Sequence, residues 1–341
     1  MVAVIAAPRT AKVQLAEARR LVDPALRAAV DSLPSSMRHI AGYHLGWWDP
    51  DGVPVRADAG KALRPALVFG GALAAGGTDL DAVSGAVAVE LVHNFSLLHD
   101  DVMDGDVTRR HRATAWSVFG TSAAILAGDA LLALAMDVLA AGGSPAATRA
   151  GGMLAAAVQR LLDGQSADLD FERRDDVGVD ECLRMASAKT GALLGCACAV
   201  GALFGGGRPA QVLRLAQFGE DLGLAFQFAD DLLGIWGDPA VTGKPVHSDL
   251  RSRKKSLPVV AALTGGTAAG SELAATYHGP APEDLAGEAA LVEAAGARLW
   301  AQAHADELLG RAVEALAAAE PEPRAEAELV ALAGLAVRRD R

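Results

Sequence analysis

Glu90-Leu91-Val92-His93-Asn94-Phe95-Ser96-Leu97-Leu98-His99-Asp100-Asp101-Val102-Met103-Asp104 is the stretch whose reading decides the fold. It is apolar for most of its length and ends in three carboxylates. On a helix, residues three and four apart share a face, so Asp100 and Asp104 project from one side. His93 and Leu97 lie on the same stripe. Two carboxylates therefore stand at the C-terminal end of a helix that is otherwise buried. The helix dipole disfavours negative charge there, and mutual repulsion adds to the cost. A hard divalent cation with oxygen ligands is the natural compensation. A solvated acidic helix end is the plain alternative. It is weakened by a second acidic pair, Asp230-Asp231, which closes another apolar segment running from Leu222 to Phe228.

The 341 residues are 51% hydrophobic but only 4% aromatic, so the core must be built from Ala, Leu and Val. Ala and Leu are strong helix formers. Alternating runs rich in Val, Ile, Thr and aromatics are almost absent, and the chain reads as all-α. A net charge of −11 argues against non-specific binding of nucleic acid or anionic membrane by the chain as a whole. Cys182, Cys196 and Cys198 have no zinc-like spacing and read as small apolar fillers in a reducing cytosol. The longest apolar run, Ser122 to Leu139, contains Asp129 and Asp137. Met1 to Ala7 is too short for a signal peptide and lacks its charged region. The expectation is a cytoplasmic protein without a transmembrane segment.

Helices are predicted at about Ala11–Ser32 (with Pro24 as its weak point), Ser35–Ala41, Lys61–Ala75 and Leu80–Asp104. They continue at about Ser117–Ala140, Ala146–Asp175, Val179–Gly201 and Ala210–Ile235. The last are at about Lys255–Thr264, Ser271–Tyr277, Leu285–Ala319 and Pro323–Val337. Trp47 to Gly52 is turn chemistry. Thr108 to Thr114 reads as a basic loop, and Gly237 to Ser252 as a loop broken by Pro239, Gly243 and Pro245. No fixed-period repeat and no linker interrupts residues 1–341, which are read as one domain.

Basic residues stand close to the first acidic motif. Lys61 and Arg64 are three apart, which places them on one helix face near its N-terminus, already a favourable place for an anion. Arg109 and Arg110 come shortly after the carboxylates. Carboxylates that hold metal ions, beside arginines that fork onto phosphate oxygens, describe a diphosphate site.

At this point the sequence resembles a known family. Asp100-Asp101-Val102-Met103-Asp104 followed by Thr108-Arg109-Arg110-His111-Arg112-Ala113-Thr114 is similar to the first aspartate-rich motif of the trans-isoprenyl diphosphate synthases, the polyprenyl synthetase family. Ala59-Gly60-Lys61-Ala62-Leu63-Arg64-Pro65 resembles that family's Gly-Gly-Lys-x-x-Arg-Pro motif. Phe226 to Asp231 resembles its second aspartate-rich motif. Thr242-Gly243-Lys244-Pro245 and Lys254 resemble the lysine-bearing loop after it. The motifs arrive in the family's order and cover about residues 59 to 258.

The resemblance implies a single large helical-bundle domain of the isoprenoid synthase type with a central active-site cavity. It implies that isopentenyl diphosphate is condensed with an allylic diphosphate (dimethylallyl, geranyl or farnesyl) by a Mg2+-dependent homodimer. Asp100, Asp104 and Asp230 would bind three Mg2+ ions bridged by the diphosphate, with Asp101 and Asp231 supporting them. Arg109, Lys189, Lys244 and Lys254 would hold the allylic diphosphate. Thr190 and Gln227 would face the developing cation and the leaving oxygen. Lys61, Arg64, His93 and Arg110 would hold isopentenyl diphosphate. These roles suit the chemistry, because an allylic C–O bond ionises only when the departing diphosphate is stabilised and water is kept out. Taken singly, Lys189-Thr190-Gly191 also reads as a polar break between helices, Gln227 as a buried amide and His93 as a core histidine.

One departure stands out. The family's second motif usually ends in a third Asp, and that position is Gly234 here. A terpene cyclase is disfavoured because its second metal motif needs Asn, and Asn94, the only asparagine, precedes the first motif. A non-catalytic subunit of a heteromeric synthase is disfavoured because Asp100, Asp101 and Asp104 are all present. For chain length, Phe95 and Ser96 stand five and four residues before Asp100. A single aromatic five before the motif resembles type I geranylgeranyl diphosphate synthases, so a twenty-carbon product is expected, with the fifteen-carbon farnesyl product as runner-up.

Overall fold

The structure is a computed structural model that describes residues 7–55, 57, 60–239, 245–277 and 279–338. Helices dominate it: α1 (Ala11–Asp31), α2 (Ser35–His44), α3 (Leu63–Ala74), α4 (Val83–Met103), α5 (Ala115–Phe119), α6 (Thr121–Ala141), α7 (Pro145–Phe171), α8 (Val179–Ala186), α9 (Ala192–Phe204) and α10 (Pro209–Trp236). Further helices occupy Ser248–Arg251, Leu257–Thr264, Ala268–Tyr277, Ala286–Ala294, Ala297–Ala317 and Pro323–Val337. The all-α expectation holds, with one exception among the described residues. The expected basic loop is a two-stranded antiparallel hairpin, β1 (Thr108–Arg109) and β2 (Arg112–Ala113).

Several predicted helices are divided where the backbone demands it. Gly120, at φ 89°, separates α5 from α6, and Gly296, at φ 80°, ends the run that was expected to be continuous to Ala319. Such left-handed conformations break an α-helix, and glycine adopts them at no steric cost. A π-helical turn, Ser187–Gly191, interrupts the predicted Val179–Gly201 helix. By contrast, α1 runs through Pro24 unbroken.

The chain clusters into two compact units. The first comprises Met1–Ala156, Cys196–Ala216 and Ala318–Ala331, and α4 is its central helix. Thirteen of the 21 residues of α4 are buried, among them Glu90, Asn94, Ser96 and Asp101, so polar groups enter the core where the helix nears its acidic end. Beside it α3 and α9 approach closely, because Gly71 and Gly201 present no side chain to the backbone of Cys198 and Val68. The second unit comprises Ala157–Gly195, Gln217–Ala317 and Leu332–Arg341. Ile235, Leu250, Val259, Leu273, Tyr277 and Val292 form its apolar core. The ring of Phe228 packs there against Trp300, with centroids 5.5 Å apart.

Thr121–Ala141 and Val179–Phe204 are long and apolar enough to cross a membrane by length and composition alone. The second is 72% buried, as a core helix is. The first is only 39% buried and carries Asp129 and Asp137, so neither is a clear membrane span.

Candidate active site

In the first unit the end of α4 sorts its three carboxylates by exposure. Asp100 is half-buried and Asp104 exposed, on the shared face expected from their spacing. Asp101 is 1% exposed. Its Oδ1 accepts a hydrogen bond from Arg109 Nε at 2.6 Å, while its buried Oδ2 has no hydrogen-bond partner among the described residues. Burial pushes the Asp101 carboxyl pKa up, and the Arg109 charge works against that rise. Asp101 thus positions Arg109 on the neighbouring strand.

The hairpin explains how Arg109 and Arg110 are presented. Its two-residue tip, Arg110-His111, has φ of 51° and 61°. That mirror-image turn matches the twist of paired strands but favours Gly, Asn or Asp, so two larger residues there carry backbone strain. Arg112 anchors the hairpin by donating to the carbonyls of Tyr43 and Trp48, each at 3.1 Å. The Tyr43 hydroxyl donates to Ala113 O at 2.8 Å.

Lys61 does not share a helix with Arg64. Gly60, at φ 86°, and Ala62, at φ 54°, turn the chain, and α3 begins at Leu63. Lys61 is exposed in that turn, and Arg64 alone lies in the first helical turn. A Cβ at Gly60 would fall 2.6 Å from the Arg110 guanidinium, so the turn and the hairpin tip are close neighbours. Arg19 of α1 donates to the Gly60 carbonyl. Beneath them lies Glu90, whose carboxyl pKa is raised by burial against the opposing influence of Arg64, Asn94, Arg110 and Arg19. Asn94 donates to the Glu90 carbonyl at 2.8 Å. Burial, then the charges of Arg64, Arg110 and Arg109, hold His93 well below its usual pKa. His44 is pushed down to about 3 by burial and by Arg109 and Arg110. Both imidazoles are therefore neutral near pH 7, and His93 offers an anion an N–H group rather than a charge.

Glu90, Asn94, His44 and Arg19 were not singled out from sequence. The signal for Glu90 and Asn94 was present as two polar residues four apart inside an apolar helix. His44 and Arg19 reach the cluster only through packing.

In the second unit the π turn places its polar residues against two neighbouring helices. π turns widen a helix locally and are frequent at functional sites. Lys189 Nζ donates to Asp168 Oδ2 of α7 at 2.7 Å. Thr190 Oγ1 donates to Gln227 Oε1 at 2.8 Å, and Gln227 Nε2 donates to Asp231 Oδ1 at 2.9 Å. Asp231 is 3% exposed and also accepts from Lys254 Nζ at 3.2 Å and from the Leu257 N–H at 2.9 Å. Burial opposes the charge of Lys254, but Asp231, Asp249, Asp168 and Asp230 outweigh it and hold the ammonium pKa well above its usual value. Asp230 is exposed. Gln165 is buried with no hydrogen-bond partner for its amide among the described residues. Lys244 lies outside the described residues.

The two acidic motifs share one pattern. In each, the first Asp is accessible, and the second is buried and holds a basic residue: Asp101 holds Arg109, and Asp231 holds Lys254. Among the described residues no group of three or more His, Cys, Asp or Glu is placed to hold a metal ion by itself. Hard oxygen donors presented in pairs suit Mg2+, which keeps several waters and uses one or two carboxylates together with substrate phosphates.

Comparison with known proteins agrees with this arrangement. The polyprenyl synthetase family model matches residues 55–294, and the chain belongs to that family. It is 48% identical to a (2E,6E)-farnesyl diphosphate synthase of Mycobacterium tuberculosis over 322 residues, covering 93% of this chain and 90% of the relative. It is also 48% identical to a geranylgeranyl diphosphate synthase of the same organism over 333 residues, covering 96% and 94%. The crystal structure of a polyprenyl synthetase from Streptomyces coelicolor superposes with a TM-score of 0.91 at 50% identity, covering 95% of this chain and 99% of that one. The chain is a short-chain trans-prenyl diphosphate synthase, and equal likeness to farnesyl and geranylgeranyl synthases leaves its product length open.

Proposed function

We propose that the protein condenses isopentenyl diphosphate with an allylic diphosphate, head to tail, and releases geranylgeranyl diphosphate. The observation that carries this is the pattern repeated in both acidic motifs, an accessible Asp beside a buried Asp that aims a cation. The family works with Mg2+ on diphosphate substrates. In this reading Asp100, Asp104 and Asp230 would be the carboxylates that hold Mg2+, three ions as the family resemblance implies. The bound metal would supply positive charge against the departing diphosphate.

The chain's own residues do the rest. Asp101 and Asp231 fix Arg109 and Lys254 toward the allylic diphosphate, and Lys189 and Lys244 share in holding it. The Thr190 and Gln227 dipoles face the developing cation. Lys61, Arg64 and Arg110 bind isopentenyl diphosphate, with neutral His93 donating a hydrogen bond. Phe95 and Ser96 bound the hydrocarbon chain. The plain test is turnover of the isolated protein with isopentenyl diphosphate and each allylic primer, with and without chelator. Metal-dependent formation of a twenty-carbon product is expected. Absence of any prenyl product under magnesium would overturn the reading.

The division of the arginines gives a second expectation. Arg110 adjoins the Gly60-Lys61 turn, whereas Arg109 is tied to Asp101. Arg110→Ala should mainly raise the KM for isopentenyl diphosphate, and Arg109→Ala the KM for the allylic substrate. Titrations giving both variants the same defect in both substrates would remove that partition.

The working form in this reading is a cytoplasmic homodimer. Ile125 and Leu126 are exposed on α6, an apolar helix that is 39% buried, and a second copy is the partner such an exposed apolar face suits. Light scattering should give twice the 34.8 kDa chain mass, and a monomer mass at working concentration would contradict it.

A further inference from the structure

The turn that carries Lys61 is held from a helix whose sequence shows no motif. Arg19 stands on α1, outside the residues 55–294 that the family model matches, and its Nη2 donates to the Gly60 carbonyl. Its side chain is 33% exposed, and its Nη1 lies 3.9 Å from Asp23 Oδ1, one helical turn along α1. On another side of Gly60, a Cβ would fall 2.6 Å from the Arg110 guanidinium. Gly60 thus lies between two arginines: one from α1 takes its carbonyl, and one from the hairpin tip stands beside its Cα. Arg19 also belongs to the cluster beneath the turn. Burial raises the Glu90 carboxyl pKa, and Arg19 opposes that rise together with Arg64 and Arg110.

What the bond from Arg19 fixes is the plane of one peptide. The described peptide bonds are all trans, and in a trans peptide the C=O and the N–H point in opposite directions. With the Gly60 carbonyl turned to Arg19, the Lys61 N–H is turned away from it. Gly60 and Ala62 have φ of 86° and 54°, and Lys61 between them does not share that positive sign. A backbone that turns through residues of opposite hand brings successive N–H groups toward one side, the form of a main-chain anion site. Glycine gives the Gly60–Lys61 peptide little preference of its own, so a bond from outside the turn decides its orientation. Rotated, that peptide would present its carbonyl oxygen in place of the N–H, and an oxygen repels a phosphate.

We propose that Arg19 is a positioning residue for the isopentenyl diphosphate site: by holding the Gly60 carbonyl it orients the Gly60–Lys61 peptide and so sets Lys61 for the diphosphate. The N-terminal helix α1 is in this way part of the substrate site, acting through the turn. The ligand's identity rests on the prenyl-transfer reading above; the locking of the turn by Arg19 does not.

The experiment uses the full-length protein carrying Arg19→Ala or Arg19→Lys. KM for each substrate and kcat are measured, and amide hydrogen exchange is followed in the segment that contains Gly60 and Lys61. Alanine is the strongest helix former, so α1 is expected to survive the first change, and lysine keeps a cationic donor on a shorter stem. Arg19→Ala should raise the KM for isopentenyl diphosphate about tenfold, the scale of one hydrogen bond from a charged donor. The allylic KM and kcat should stay at wild-type values, and exchange at the turn should quicken. Arg19→Lys should fall between Arg19→Ala and wild type in both readings. A general loss of packing would not separate the two substrates in this way. Wild-type KM for isopentenyl diphosphate in Arg19→Ala, both KM values raised alike, or a lysine variant no better than the alanine one would overturn the assignment. A wild-type protein that makes no prenyl product would sink the prenyl-transfer reading. The exchange comparison then decides the lock by itself: faster exchange in Arg19→Ala sustains it, and equal exchange overturns it.

Discussion

Asp104→Ala is expected to lower turnover on the order of a hundredfold or more at ordinary magnesium concentrations. Asp104 caps α4, and its N–H bonds the Asp100 carbonyl at 2.8 Å, so the two carboxylates leave the backbone from one hydrogen-bonded turn. They stand at the negative end of the helix dipole, where a carboxylate is unfavourable unless something positive is held there. The backbone contribution of Asp104 survives replacement by Ala, whereas its charge does not. A loss confined to stability would show in the melting temperature. A loss of rate at unchanged melting temperature would place the role in metal-assisted departure of the diphosphate. Near-normal turnover would show that Asp104 is not a metal ligand.

Phe95→Ala is expected to lengthen the product by at least one five-carbon unit. Phe95 precedes Asp100 by five residues, which sets it about 7.5 Å nearer the start of α4 at ~1.5 Å per residue. Its ring is 3% exposed and meets His99 edge to face, with centroids 4.8 Å apart. His99 is itself wedged in place. Its Nε2 lies 3.0 Å from the Ile125 carbonyl, and Gly128 of α6 offers no side chain to push it away. A ring fixed in this way suits a floor that a growing hydrocarbon cannot displace. Removing it leaves the volume of a phenyl group, and the neighbouring Ser96, with its hydroxyl turned back to the His93 carbonyl at 2.8 Å, is too small to fill it. An active variant with an unchanged product distribution would show that the floor lies elsewhere.

Much of this was legible in the sequence because it depends on local periodicity. The 21 residues of α4, the shared face of Asp100 and Asp104, and the apolar helix running into Asp230-Asp231 all follow from a 3.6-residue repeat. What was illegible depends on backbone conformation or on volume. The left-handed residues Gly60 and Ala62 push Lys61 off α3, and no helical pattern marks that. The hairpin tip uses Arg110 and His111 where a tight turn usually announces itself with glycine or asparagine. The buried partner of each acidic pair could be guessed from its spacing, but the cation it holds could not. Gly234 looked like a loss in sequence; that the Asp249 carboxylate stands against it becomes visible only when side-chain volumes are compared.

The π turn at Ser187–Gly191 has a bearing on how such chains should be aligned. A helix advances roughly 100° per residue, so a turn one residue wider is equivalent to an insertion that rotates everything after it by that amount. Lys189 and Thr190 reach different helices, the first Asp168 and the second Gln227, from within this widened segment. Trimming a single residue there would restore ideal helical winding and throw the two side chains out of phase with their partners. A one-residue gap at this point in a related sequence therefore marks a change of register of Lys189 and Thr190 against Asp168 and Gln227, even where every flanking residue is identical.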